Sequence, residues 1–145
     1  MQAQILAPAA VLVLWTLLML IWMAAVRLPA LRKAIGGGLG KAKPGGRGQD
    51  LDGVLPDLVN WKSHNHTHLH EQPTLFYATV LILALLGPHP LDMLFAWAYV
   101  AIRMVHSLWQ ATVNTLPVRF SLFLLSTICL VVLAIDAAKL ALLGA

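Results

Sequence analysis

Charge is what this sequence has least of. Asp, Glu, Lys and Arg make up 11% of 145 residues, less than half of the ~25% usual in soluble domains. Hydrophobic residues reach 59%, with a mean hydropathy of +0.78. A soluble domain of this size needs more charged surface than that, so much of the surface faces lipid. Cysteine is nearly absent as well: Cys129 stands alone in the apolar run SLFLLSTICLVVLAI. That excludes an intrachain disulfide or a Cys-built metal site, and so apolar a setting disfavours a reactive thiol. No positive residue precedes the first apolar run, which is too long for a leader and lacks a convincing small-x-small site before Arg27. A spanning helix is therefore expected there rather than a cleaved signal.

The net charge of +4 and pI near 9.7 do not point to nucleic acid. Seven of the ten basic residues lie between Arg27 and Lys62, with no stacking aromatic among them before Trp61. Beside a hydrophobic segment, such a cluster is a topology signal.

Four apolar segments are present, at about 5–26, 57–86, 91–113 and 118–142. Some twenty helical residues cover a ~30 Å hydrocarbon core. The prediction is an all-α integral membrane four-helix bundle with antiparallel, up-down spans in one domain, 1–145. Residues 28–56, with IGGGLGKAKPGGRGQDLDG, are expected to form a flexible Gly-rich loop. The glycines before Lys41 do not make a phosphate loop: the first required glycine falls on Ile35, and Ala42 replaces the Ser/Thr. GPHP, Gly87 to Pro90, is a tight hairpin turn, and Pro117 suits a first helical turn. The first loop carries Arg27, Arg32, Lys33, Lys41, Lys43 and Arg47, the second none, and the third has Arg119 at its edge. Loops one and three are thus expected in the cytoplasm and both termini outside, with Lys139 a mild dissent.

The second span is unusual. Its clearly apolar part, Leu75 to Leu86, has twelve residues, too few to cross. Extension back to Asp57 brings in WKSHNHTHLHEQP, which must lie outside the membrane or be shielded by neighbouring helices or subunits; Pro73 is compatible with a kink. His64, His68 and Glu71 share one helical face, and His66 and His70 pair on the next. Histidines at i, i+4 can chelate a metal, but there is no HExxH and one helix offers too few ligands, so no metal is expected. A solvated helix start and a polar pocket for a charged ligand are the other readings.

The third span carries Arg103, His106, Ser107 and Gln110, with Arg103, His106 and Gln110 on one face. A guanidinium inside a span needs an anionic partner. Glu71 is the economical choice, whether that pair serves a ligand or only locks two helices. Trp97, Tyr99 and Trp109 read as belt or packing residues, Asp92 as a helix-start carboxylate, and Asp136 with Lys139 as an i, i+3 pair.

The runs HNHTHLHEQPTLFYA and AWAYVAIRMVHSLWQATVNTLPVRF resemble MAPEG proteins, the membrane-associated proteins of eicosanoid and glutathione metabolism. The likeness is to the bacterial branch, carried by Asn65, Leu69, Glu71, Pro73, Leu75, Phe76 and Tyr77, then Arg103, His106 and Ser107. It implies a homotrimer of four-helix subunits in a bacterial inner membrane, binding glutathione as co-substrate between subunits near the cytoplasmic side. The family's Arg, Asn and Glu of helix two fall here on His64, His68 and Glu71, so only the Glu is kept. Tyrosines of the eicosanoid branch are replaced by His106 and Gln110.

The expected glutathione ligands are therefore His64, Asn65, His68, Glu71, Arg103, His106 and Gln110. Arg103, His64 or Lys62 would hold carboxylates and Glu71 the amine, while Arg103 or Arg119 would favour the thiolate. The implied activity is a glutathione transferase or peroxidase acting on lipophilic electrophiles dissolved in the membrane lipid. A non-catalytic protein whose polar cluster stabilises the oligomer is the competing class, and a His-rich metal-binding membrane protein a third.

Overall fold

A computed structural model describes residues 2–36 and 44–144. They form four α-helices: α1 (Leu6–Ala34), α2 (Asp57–Leu86), α3 (Pro90–Thr112) and α4 (Leu116–Leu143). There is no strand among the described residues. Each helix is long and apolar enough to cross a membrane, so the chain is an integral multi-pass membrane protein. The shortest, α3 with 23 residues, reaches ~35 Å at 1.5 Å per residue, enough for a ~30 Å core.

The boundaries follow local chemistry. Proline opens α3 and lies in the first turn of α4, where its missing N–H costs nothing. The His89 N–H donates to the Asp92 carboxylate at 2.8 Å, so Asp92 does serve as a helix-start carboxylate. Gly87 ends α2 at φ 103°, a conformation in which a Cβ would clash with its own backbone. Asn114 turns the chain from α3 to α4 at φ 56°, within the left-handed region that asparagine tolerates best after glycine.

Two expectations about the first connection need correction. The first helix does not end near Val26 but continues to Ala34, carrying Arg27, Arg32 and Lys33. Cations in the last turns favour the negative end of the helix dipole, so the helix outlasts the apolar run. Residues 48–51 form a 3₁₀ turn rather than open loop; Arg27 donates to the carbonyl of Gly48. Lys41 and Lys43, with Gly37, Gly38 and Gly40 before them, lie outside the described residues.

The bundle has two unlike halves. Towards the α2–α3 turn the core is apolar: Phe76, Val80, Leu83, Val100 and Leu133 are buried, and Phe76 stacks on Tyr99 at 4.3 Å. Large apolar side chains such as Leu14, Ile21, Leu85 and Leu125 point outward, as lipid requires. Towards the other end the interior is polar, with Asn60, Asn65, Arg103, His106, Ser107 and Gln110 all buried. Lys62 clamps this end: its Nζ donates to the carbonyls of Leu58 (2.7 Å) and Ala111 (3.3 Å) and lies 5.0 Å from the centre of the Trp22 ring. Between the halves, Gln72 of α2 donates to Thr127 of α4 at 2.7 Å and accepts from Tyr99 of α3 at 3.5 Å.

Candidate functional site

The polar end holds an open cleft of about 570 Å³. Its walls are Ser63, His64, Thr67, His68 and Glu71 from α2, Gln110 from α3, Arg119 from α4, and Gly48, Gln49 and Asp52 from the connection before α2. Beside it lies a smaller cavity of about 160 Å³, lined by His68, His106, Leu116, Arg119, Phe120 and Phe123. His68 and Arg119 belong to both. One compartment is polar and the other aromatic, and a cationic side chain and an imidazole stand between them.

His68 is held on three sides. Its ring stacks on His106 with centroids 5.0 Å apart and tilts against Phe123 at 5.6 Å. From α3, Arg103 Nη2 donates to the His68 carbonyl at 3.1 Å and reaches His68 Nδ1 at 3.4 Å. Pro73, five residues on in α2, has no amide to give the carbonyl of Leu69. On the cleft side, His68 Nε2 lies 3.8 Å from Glu71 Oε2.

This geometry corrects the expected Glu71–Arg103 pair. Arg103 is 0% exposed and turns inward, whereas the Glu71 side chain is 61% exposed. The two residues lie on opposite sides of His68, and among the described residues Arg103 has no carboxylate within ion-pair distance. Its Nε and Nη1, with Asn65 Oδ1, His106 Nε2, Ser107 Oγ and Gln110 Oε1, are buried atoms without a hydrogen-bond partner among the described residues. Unpaired groups at this density are costly in a low-dielectric interior.

Of the residues expected in the site, His64, His68, Glu71, Gln110 and Arg119 meet at the cleft, and His106 lines the adjoining cavity. His64 Nε2 faces the Asp52 carboxylate at 3.0 Å. Asn65 and Arg103 lie beneath the walls rather than on them, and Lys62 is occupied by the clamp. Arg119 is aimed by Asn114, whose Oδ1 accepts from Nη1 at 2.7 Å. The expected Asp136–Lys139 ion pair does not form; these residues instead share a cavity of about 320 Å³ with His89 and Asp92 at the opposite end. His66 and His70 pack on each other at 4.5 Å, and no set of three or more His, Cys, Asp or Glu converges at metal-binding geometry among the described residues.

Sequence reasoning missed the aromatic wall, Phe120 and Phe123, and the contribution of Asp52. The Phe pair had a signal in its i, i+3 spacing four residues or less from Arg119. Asp52 had none, because a loop's return path leaves no periodicity.

The sequence profile of the MAPEG family matches residues 5–139, through all four helices. No curated protein and no solved structure matches the chain.

Proposed function

The chain belongs to the MAPEG family, and from that premise we propose that it is a glutathione-dependent transferase or peroxidase for lipophilic electrophiles. The observation that carries this reading is the pairing of the polar cleft with the aromatic cavity across His68 and Arg119. Glutathione is a polar zwitterion with a soft nucleophile in its middle. Glu71 suits its ammonium, Arg119 a carboxylate or the thiolate, and Gln110 a peptide group. The cleft is of a size that takes a small ligand. Leu116, Phe120 and Phe123 offer the apolar neighbourhood into which an electrophile dissolved in the bilayer would move.

In a transfer, the thiol proton leaves to water, sulfur forms a bond to the electrophilic carbon, and the leaving group departs with its electron pair. In a peroxidase cycle, two glutathione thiols reduce a hydroperoxide to an alcohol and water and become a disulfide. The proposed location is a bacterial inner membrane, with the cleft at the cytoplasmic face.

The proposed assembly is a homotrimer. His64, Thr67, Glu71, Thr74 and Ala78 are exposed along one stripe of α2, at spacings of three and four that suit helix packing. A polar stripe within a spanning helix calls for a protein neighbour, and a second copy would cover it while closing the cleft. The same stripe favours a second reading, in which the polar residues serve only assembly. Purified protein decides between them: the proposed function requires glutathione-dependent conjugation of chlorodinitrobenzene or reduction of cumene hydroperoxide, weakened in Glu71→Ala. Folded oligomers inactive with both reagents and unable to bind glutathione support the assembly reading.

A further inference from the structure

Arg103 is an anomaly as a structural residue. It is wholly buried in the polar half of the bundle, and among the described residues two of its three nitrogens have no partner and no carboxylate balances it. What it does touch is His68, at the backbone carbonyl and at Nδ1. A guanidinium can only donate, so Nδ1 must accept, and the proton of a neutral imidazole is then on Nε2. Glu71 Oε2, 3.8 Å from Nε2, favours the same tautomer from the other side. Stacking on His106 and contact with Phe123 fix the ring plane. The outcome is one N–H of defined direction at the boundary between the polar cleft and the aromatic cavity, with Arg119 lining both beside it.

We infer that His68, locked by Arg103 as the Nε2–H tautomer, is the donor that meets the glutathione sulfur and stabilises its thiolate together with Arg119. This rests on the proposed glutathione chemistry and assigns parts within it. His68 is the catalytic residue. Arg103 is a positioning residue, acting through His68 and out of reach of the ligand. A preorganised donor aimed at developing negative charge is worth more in a desolvated site than in water, because nothing must reorient as the charge forms. The S–H bond breaks, its proton passes through the cleft to water, and the electron pair stays on sulfur facing Nε2–H and the guanidinium. The charged and titratable groups around His68 are Glu71 and His64 from α2, Arg103 and His106 from α3, Arg119 from α4, and Asp52 across the cleft.

The test is an ultraviolet titration of the thiolate of glutathione bound to the purified protein, with conjugation rates at pH 7 in parallel. In the wild type, the bound thiol should titrate at least about one pH unit below the ~8.5 of a free cysteine thiol. His68→Phe keeps the ring stacked but removes the donor; it should return the titration towards the free value and slow conjugation about 10- to 100-fold, with glutathione still bound. His68→Gln, which restores an N–H at similar reach, should recover most of the loss. Arg103→Met leaves His68 in place but unlocks it, and should lose several-fold in rate, with no further loss when combined with His68→Phe. An unchanged bound-thiol titration in His68→Phe, or in Arg103→Met where His68→Phe fails to fold, overturns the inference and leaves the glutathione reading standing. Failure of the folded wild type to bind glutathione overturns both.

Discussion

Arg103 Nη2 lies 3.1 Å from the carbonyl oxygen of His68, and this contact joins α3 to α2 five residues before Pro73. A buried guanidinium usually pairs with a carboxylate. Here the only glutamate of the chain, Glu71, is one turn away on the solvent side of His68. The arrangement gives up interior stability to hold one imidazole in place, and residues that break a local rule in this way mark functional sites.

The stability consequence is unusual for a wholly buried residue. Replacing a buried charge by an apolar side chain of similar volume is often neutral or stabilising. Arg103→Met should therefore unfold within about 1 kcal/mol of the wild type, or above it, while activity falls. Thermal unfolding in detergent, followed by circular dichroism, checks this; a large drop in the midpoint would make Arg103 a structural keystone instead.

Gln72 is expected to behave the opposite way. It joins Thr127 and Tyr99 across three helices and is absent from the cleft wall. Gln72→Leu should destabilise by about 1 kcal/mol, the scale of interhelical hydrogen bonds in membranes. Glutathione affinity, measured by equilibrium dialysis, should stay within about twofold of the wild type, a free-energy change well under the 1.4 kcal/mol of a tenfold difference.

Asn114 combines a backbone role with a site role. Its φ of 56° is unfavourable for most side chains, and its Oδ1 aims Arg119. Asn114→Gly relieves the backbone and removes only the tether, so stability should hold while conjugation falls several-fold. Asn114→Ala removes the tether and adds strain of about 1 kcal/mol. Parallel melting and rate measurements separate the two effects. Equal rates in Asn114→Gly and the wild type would show that Arg119 needs no help in finding its position.

The exposed stripe of α2 gives a direct test of assembly. Cys129 is the only native cysteine and is buried, so a cysteine introduced as Ala78→Cys reports on its own position. If copies of α2 face one another, mild oxidation should yield a covalent dimer on a denaturing gel, and native mass spectrometry should find three subunits per particle. Monomers throughout, from protein of full helicity, would remove the proposed homotrimer.

The fold was largely readable from the sequence because lipid imposes one strict rule: apolar runs of sufficient length become helices. The helix starts at Asp57, Pro90 and Leu116 fell within two residues of expectation, as prolines and tight turns mark them. The end of α1 did not, since Arg27 to Lys33 form polar helix that no hydropathy pattern distinguishes from loop. Within the site, periodicity put His64, His68 and Glu71 on one face, and the cleft confirms that grouping. Periodicity could not reveal the partner of Arg103. Charge alone suggested Glu71, whereas the contact made is with the backbone carbonyl and ring of His68, which only packing discloses. Asn65 matched the family pattern yet is 1% exposed; a motif position does not say whether a side chain faces ligand or core.

The central claim is that the cleft beside His68 and Arg119 binds glutathione. Equilibrium dialysis of labelled glutathione against purified, oligomeric protein tests it most directly. Saturable binding, weakened about tenfold or more by Glu71→Ala, is the predicted result. Absence of saturable binding by the folded wild type, or equal affinity in Glu71→Ala, contradicts it.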